Sequence, residues 1–401
     1  ILQHQRDTNF LRTFHVLRYG RFCLRRTPPK TSTPMEKPRI LILGKIPPPL
    51  MGPAIATKIL LESDLKEDFE LHHFDTRINA DVADMGSFKW QKLGTIKALY
   101  SDFSKRLDEV QPELVLIPIG QTTAGFLKDI PFIRMAAKTS AKVVVQLRGS
   151  EFRTWFDKLD PIRKNMVRGA LAKVDGVIVL GENLRYLFEG LVDDEKIFVV
   201  SNGADYHFPE SRTKSLRILY LANYLPGKGI KELLEALVSV HEKYKLRFEF
   251  HGYGSWDNEA YKRECIKLVE RYPNFFLNGS ISGDAKWQAF ADADLFVFAP
   301  KAPEGHPWST VEAAAAGLPI ISTDRGAISQ TVIDGENGFL LPNPDPELLA
   351  EKIALLIKDG DLRGKMGKAS RKLYQANFTA SAMTKKMRHV FQTLLSETCV
   401  E

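Results

Sequence analysis

Glu304 and Glu312 stand with seven residues between them in Glu304-Gly-His-Pro-Trp-Ser-Thr-Val-Glu312, which runs into the small-residue stretch Ala313-Ala-Ala-Ala-Gly317. Pro307 suits a helix entrance because it lacks an N–H that would go unpaired there. Ser309 is a good N-cap, and Glu312 three residues later completes a capping box. The spacing therefore predicts a helix starting near Ser309, with Glu304 in the loop before it. The free N–H groups and positive dipole end of that helix make an anion site, suited to a diphosphate and to a phosphate that departs. Taken singly, each acid has an ordinary reading, Glu312 as a capping-box glutamate and Glu304 as a loop acid.

The flanking elements give the pair its meaning. Asp292-Ala-Asp-Leu-Phe-Val-Phe298 reads as a helix end and a buried strand, and Leu318-Pro-Ile-Ile-Ser322 as the next strand. A strand, loop, helix, strand unit places both glutamates at the carboxyl end of a parallel sheet, where open α/β folds bind ligands. Upstream, strands are expected at 39–43, 70–74, 114–117, 142–146, 176–180 and 197–200, with helical patterns between most of them. After Asn202-Gly203 and the polar run 211–215 a second series begins. It has a strand at 216–221, a helix at 230–240 with Ile230, Leu233, Leu234 and Leu237 on one face, and strands at 246–251 and 275–277. A helix carrying Leu349, Ile353, Leu356 and Ile357 follows, and a terminal helix spans about 380–395. The expected fold is α/β, two Rossmann-like doubly wound lobes facing across a cleft. Residues 35–210 form the first lobe, 211–375 the second, and 376–401 a helix packing back on the first.

Length and composition agree with this layout. A chain of 401 residues with 44% hydrophobic content buries enough for two domains. No apolar run approaches the roughly 18 residues that would span a bilayer. Cys23, Cys265 and Cys399 lack metal-ligand spacing, which argues against a zinc site or disulfide framework and fits a reducing compartment. The net charge of +7 is almost all local: Arg6, Arg12, Arg18, Arg21, Arg25, Arg26 and Lys30 face only Asp7 within residues 1–34. The rest of the chain is nearly neutral, so nucleic acid is not an expected partner. Residues 1–34 have three readings: a membrane-surface segment using Phe10, Phe14, Val16 and Leu17, an Arg-rich leader, or a basic, flexible extension outside the working fold.

Further segments carry a resemblance. Pro47-Pro-Pro-Leu-Met-Gly52 follows the first strand, Asn202-Gly203 with Asp205 lies between the lobes, and Gly227-Lys228-Gly229 heads the first helix of the second lobe. With the glutamate stretch, they resemble the retaining nucleotide-sugar glycosyltransferases of family 4 over roughly residues 38–375, more closely in the second lobe than in the first. The resemblance implies the two-lobed GT-B fold and metal-independent, retaining transfer of a sugar from a nucleoside diphosphate to an acceptor hydroxyl, with no cofactor. It implies that Glu304 lies against the donor sugar, Glu312 holds the ribose hydroxyls, and Lys228 pairs with the diphosphate. The Gly52 turn, Gly305, His306, Pro307 and Trp308, and the amides of Ser309 and Thr310 would complete the donor site.

The chain departs from the family twice. Asn223 stands where an arginine is usual before the Lys-Gly, and Arg148, in Val145-Gln-Leu-Arg148-Gly-Ser-Glu-Phe152, stands where many members have a histidine near the reacting sugar. Arg148 either takes over that hydrogen bond and adds charge toward the phosphate or pairs with Glu151 or another acid nearby. The catalytic candidates are Glu304, Lys228 and Arg148, with Asn223 kept at the donor's edge. Residues 76–99, with Met85, Phe88 and Trp90, are the expected acceptor groove. The family's common work implies a cytoplasmic enzyme of surface polysaccharide or glycolipid assembly. Its acceptor would be a glycan or lipid-linked molecule, with peripheral contact to the inner face of the membrane. A nucleotide-sugar 2-epimerase and a non-catalytic nucleotide-sugar binding module share the pattern and stay as alternatives.

Overall fold

The computed structural model describes residues 36–48, 51–77 and 90–396. The extension 1–34 and the acceptor candidates Met85 and Phe88 lie outside these residues, as does the side chain of Trp90. In chain order the strands are β1 (Arg39–Gly44), β2 (Glu70–Asp75), β3 (Leu114–Ile119), β4 (Lys142–Leu147), β5 (Gly176–Val179) and β6 (Ile197–Val199). The second series is β7 (Arg217–Leu221), β8 (Glu249–Tyr253), β9 (Phe275–Asn278), β10 (Leu295–Phe298), β11 (Ile320–Thr323) and β12 (Gly338–Leu341). The first sheet runs β2-β1-β3-β4-β5-β6 and the second β12-β11-β10-β7-β8-β9, with parallel neighbours throughout. These are two Rossmann-like lobes. Runs such as Val143-Val144-Val145 are apolar without alternation because helices cover both faces of a parallel sheet, and all three valines are buried.

The chain passes between the lobes twice, and the two passes are bonded together. Ala204 N donates to the Phe378 carbonyl at 3.0 Å, and the Tyr374 hydroxyl donates to the Ala204 carbonyl at 2.9 Å. Asp205 Oδ1 accepts from Ala380 N at 3.1 Å, at the start of the terminal helix Ala380–Ser396. That helix buries Met383, Met387, Val390, Phe391 and Leu394 against Ile40, Ile42, Leu60 and Phe69 of the first lobe. Arg388 adds ion pairs to Asp64 and Asp68 at 3.2 and 2.7 Å. Among the described residues no helix is long and apolar enough to cross a membrane.

Two local features differ from the sequence reading. Strand β12 was not expected; it is a four-residue edge strand following the turn in which Gly335 N bonds the Gly338 carbonyl at 2.9 Å. The strand expected at 246–251 runs instead at Glu249–Tyr253, because its register is set by β7, with Arg217 opposite Glu249 and Leu221 opposite Tyr253.

Candidate active site

The strand order of the second sheet reverses between β7 and β10, and the loops leaving the carboxyl ends of those two strands form its switch point. Gly229 lets them meet. Its φ is +71°, and a β-carbon there would lie 1.8 Å from the Ala299 carbonyl oxygen, so no side chain fits. The Gly227 carbonyl accepts from Lys301 N and Ala302 N, each at 2.9 Å, and fastens the loops together. In consequence Lys228 Nζ lies 2.5 Å from Glu304 Oε1. Gly326 supports the acid from the other side. At φ +59° its β-carbon would fall 1.5 Å from the Glu304 carbonyl oxygen.

Glu304 is 11% exposed at its side chain, and burial pushes its carboxyl above the ordinary range while the Lys228 ammonium opposes that shift. An ammonium and a carboxylate at the mouth of a cleft give one group suited to a diphosphate and one suited to a sugar hydroxyl or a cationic sugar carbon.

The helix after this loop corrects the sequence reading. It spans Trp308–Ala316 with Pro307 as its N-cap and no side-chain cap bond, so Ser309 lies inside the first turn and the capping box does not form. Thr310 Oγ1 donates back to the Pro307 carbonyl at 2.8 Å. Trp308, in the first position, donates from Nε1 to the Gly52 carbonyl of the other lobe at 3.2 Å, and a β-carbon on Gly52 would meet its indole at 2.9 Å. The first-turn N–H groups, those of Ser309 and Thr310 among them, still lack helical partners. Glu312 sits one turn further in. Its Oε1 takes Lys286 Nζ at 2.5 Å, and its Oε2 is buried without a hydrogen-bond partner. Burial pushes the Glu312 carboxyl up, opposed by Lys286.

Arg148 does not pair with Glu151. It donates from Nη2 to Gln146 Oε1 at 2.8 Å and from Nη1 to Asn202 Oδ1 at 3.2 Å, which leaves its charge unmatched by any carboxylate among the described residues. Burial pushes the guanidinium down to about 10, so it remains charged at neutral pH. Asn202 continues the network: its N–H donates to His306 Nδ1 at 3.0 Å and its Nδ2 to the His306 carbonyl at 2.7 Å. His306 Nε2 meets Thr331 Oγ1 at 2.7 Å. With Nδ1 accepting, Nε2 carries the proton, and burial pushes this imidazole down to about 3. The His306 ring is thus spent on joining the lobes, and it is neutral.

Gly52, Arg148, Glu304, Gly305, His306, Pro307 and Trp308 line one cavity of about 150 Å³, together with Asn202. Lys228 reaches this group through Glu304. Asn223 does not line it; its Oδ1 accepts from Ser255 Oγ at 3.0 Å and it brings no charge. Sequence reasoning passed over Lys286 and Gly326. Lys286 lies 26 residues before Glu312 on the helix Gly283–Ala291, at no periodic spacing from it. The positive φ of Gly326 follows Asp324-Arg325 with no turn signature beyond the glycine itself.

Lys286→Met is expected to cost about 3–5 kcal/mol of stability at neutral pH, because it strands a buried carboxylate. The Glu312 carboxyl, already raised, then rises further, and the native state binds a proton that the unfolded chain releases. Stability therefore falls as pH climbs above the ordinary carboxylate range, and the deficit is smallest under acid. Denaturant titrations across pH check this: a deficit that does not change with pH would mean that Glu312 does not carry it.

Residues 205–373, nearly the whole second lobe, match the family model for glycosyl transferases, group 1. The chain is 25% identical over 239 residues to the capsular polysaccharide biosynthesis glycosyltransferase CapM of Staphylococcus aureus, covering 59% of this chain and 61% of that protein. It thus spans less than two thirds of the length of that relative. Among solved structures, the sucrose-phosphate synthase of Thermosynechococcus elongatus superposes with a TM-score of 0.72 at 17% identity, covering 90% of this chain and 100% of that one. HepE of Anabaena, solved in complex with UDP-glucose, gives 0.63 at 17% identity over 89% and 99% of the two chains. These neighbours share the two-lobed GT-B fold. Residues 205–373 are thus similar to the group 1 glycosyl transferases, on a chain with the two-lobed GT-B fold.

Proposed function

We propose that the protein is a retaining glycosyltransferase of family 4 that moves a sugar from a nucleoside diphosphate to an acceptor hydroxyl. The observation that carries this reading is the Lys228–Glu304 pair at the switch point of the second sheet, beside the open first turn of the Trp308–Ala316 helix. Departure of a nucleoside diphosphate leaves negative charge on the phosphate and positive character on the sugar carbon. Lys228, the first-turn amides and Arg148 answer the first charge, and Glu304 answers the second. With these cations in place, transfer proceeds without a metal ion. Glu312 has one bonded and one free carboxylate oxygen, and the free one accepts the ribose hydroxyls. The HepE structure holds UDP-glucose on the same fold, which supports a nucleotide-sugar donor. The name of CapM supports work on a capsular polysaccharide, and on this reading the acceptor is a glycan or lipid-linked molecule at the cytoplasmic side of a membrane.

A panel of nucleotide sugars tests the reading by thermal shift and by release of nucleoside diphosphate, with and without glycan acceptors. One donor should raise the melting midpoint and be consumed with acceptor, since a ligand bound only by the native state must stabilise it. An epimer formed from donor alone would turn the reading to the 2-epimerase. Tight donor binding with no consumption under any acceptor would leave a binding module, and no stabilising donor at all would sink all three.

A further inference from the structure

A cavity of about 370 Å³ lies beside the two passes of the chain between the lobes, and none of the donor-site residues lines it. One wall is β6, the edge strand of the first sheet, with Phe198 and Val199. The other is a single stripe of the terminal helix, where Ala382, Lys385, Lys386, His389 and Val390 recur at three- and four-residue spacing. Ala376 brings the helix Gly360–Asn377 of the second lobe to the same cavity. Apolar walls therefore meet three basic side chains and no acid. Arg388 on the same helix has Asp64 and Asp68, but neither Lys385 nor Lys386 has a carboxylate within ion-pair distance among the described residues. Lys386 is half-buried, and burial pushes its ammonium down, opposed by the Glu182 charge. Such a cation is costly to leave without a counter-ion, and an anion in the cavity relieves it.

The walls lead into the donor site. Val199 stands three residues before Asn202, which bonds both Arg148 and His306. Ala376 stands two residues before Phe378, whose carbonyl accepts from Ala204 N and whose ring lies 5.3 Å from that of His306.

We propose that this cavity is an effector site for a small phosphate ester carrying an apolar group, and that its occupant tightens nucleoside diphosphate binding across the crossing. The phosphate meets Lys385, Lys386 and His389, and the apolar group lies on Phe198, Val199 and Val390. An occupant that touches β6 and the terminal helix together holds the two passes in this arrangement, with Asn202 bridging Arg148 and His306. The nucleoside diphosphate then meets a donor site already in order. The cavity stands apart from the transferase reading; only the coupling rests on it.

Phenyl phosphate is a suitable probe, measured by calorimetry with the donor's phosphate site filled by the nucleoside diphosphate of the best donor in the panel above. It should bind the wild type at least about tenfold more tightly than inorganic phosphate or phenol does. Lys385→Glu and Lys386→Gln should each weaken it about tenfold, and Ala382→Phe, which fills the cavity, should weaken it as much. Without phenyl phosphate all three variants should keep the wild-type affinity for the nucleoside diphosphate, which also shows that they fold. With it, that affinity should rise at least about fivefold in the wild type and stay level in the variants. Equal binding of phenyl phosphate by the wild type and the three variants overturns the site, and equal binding of inorganic phosphate overturns the apolar requirement. A nucleoside diphosphate affinity that is unchanged or lowered by phenyl phosphate overturns the coupling. Sedimentation with phosphatidic acid vesicles that depends on Lys385 and Lys386, with no binding of phenyl phosphate, would assign the cations to a lipid headgroup and overturn the free ester. Failure of the transferase reading is separate: it shows as no sugar donor consumed, whatever phenyl phosphate does.

Discussion

Glu304→Gln is expected to lower turnover at least about a hundredfold while leaving the fold intact, because the amide keeps the size and hydrogen-bonding reach of the side chain but removes the charge that supports a cationic sugar carbon. The ion pair sharpens the expectation. In the unliganded protein Lys228 is held by Glu304 at 2.5 Å, and glutamine frees it. Affinity for the nucleoside diphosphate should therefore stay level or rise as turnover collapses. The wild-type enzyme should also lose activity as pH falls through the raised Glu304 pKa, above the usual glutamate range, and the variant should lack that limb. Calorimetry and pH–rate profiles check both points; near-normal turnover in the variant would remove Glu304 from the chemistry.

Lys228→Ala should do the opposite to binding. Loss of a charge-assisted contact worth roughly 1.5–3 kcal/mol weakens the nucleoside diphosphate about ten- to a hundredfold, with turnover falling as well. The arginine usual in family 4 is Asn223 here, bonded to Ser255, so that position adds no charge to compensate. Asn223→Arg placed in the Lys228→Ala background should recover part of the affinity. The alanine variant also leaves Glu304 buried without its counter-ion, so its acid limb should move to still higher pH. Unchanged diphosphate affinity in Lys228→Ala would show that the phosphates sit elsewhere.

The strands of both lobes were legible because helices on both faces of a parallel sheet demand unbroken apolar runs, and Ile40–Leu43 or Phe296–Phe298 admit few other readings. Strand β12 escaped because four residues at a sheet edge, Gly-Phe-Leu-Leu, carry little pattern. The site was legible in its parts rather than in its pairings. Glu304, Lys228 and the helix start stood out as local chemistry, but Lys286 and Asn202 act on residues distant in sequence, where no spacing rule reaches. Ser309 and Glu312 satisfied a local capping rule that tertiary contacts overrode: Trp308 is drawn to Gly52 of the other lobe, and Glu312 to Lys286. Arg148 likewise found Gln146 and Asn202 rather than nearby Glu151.

The most direct test of the account is a proton NMR time course with the donor and acceptor that perform best in the nucleotide-sugar panel. It follows loss of the donor's anomeric signal, appearance of free nucleoside diphosphate, and the configuration of the new glycosidic bond before any later equilibration. The account predicts one equivalent of nucleoside diphosphate per bond formed, with the anomeric configuration of the donor kept in the product and the signal absent with Glu304→Gln. A product of inverted configuration would contradict it.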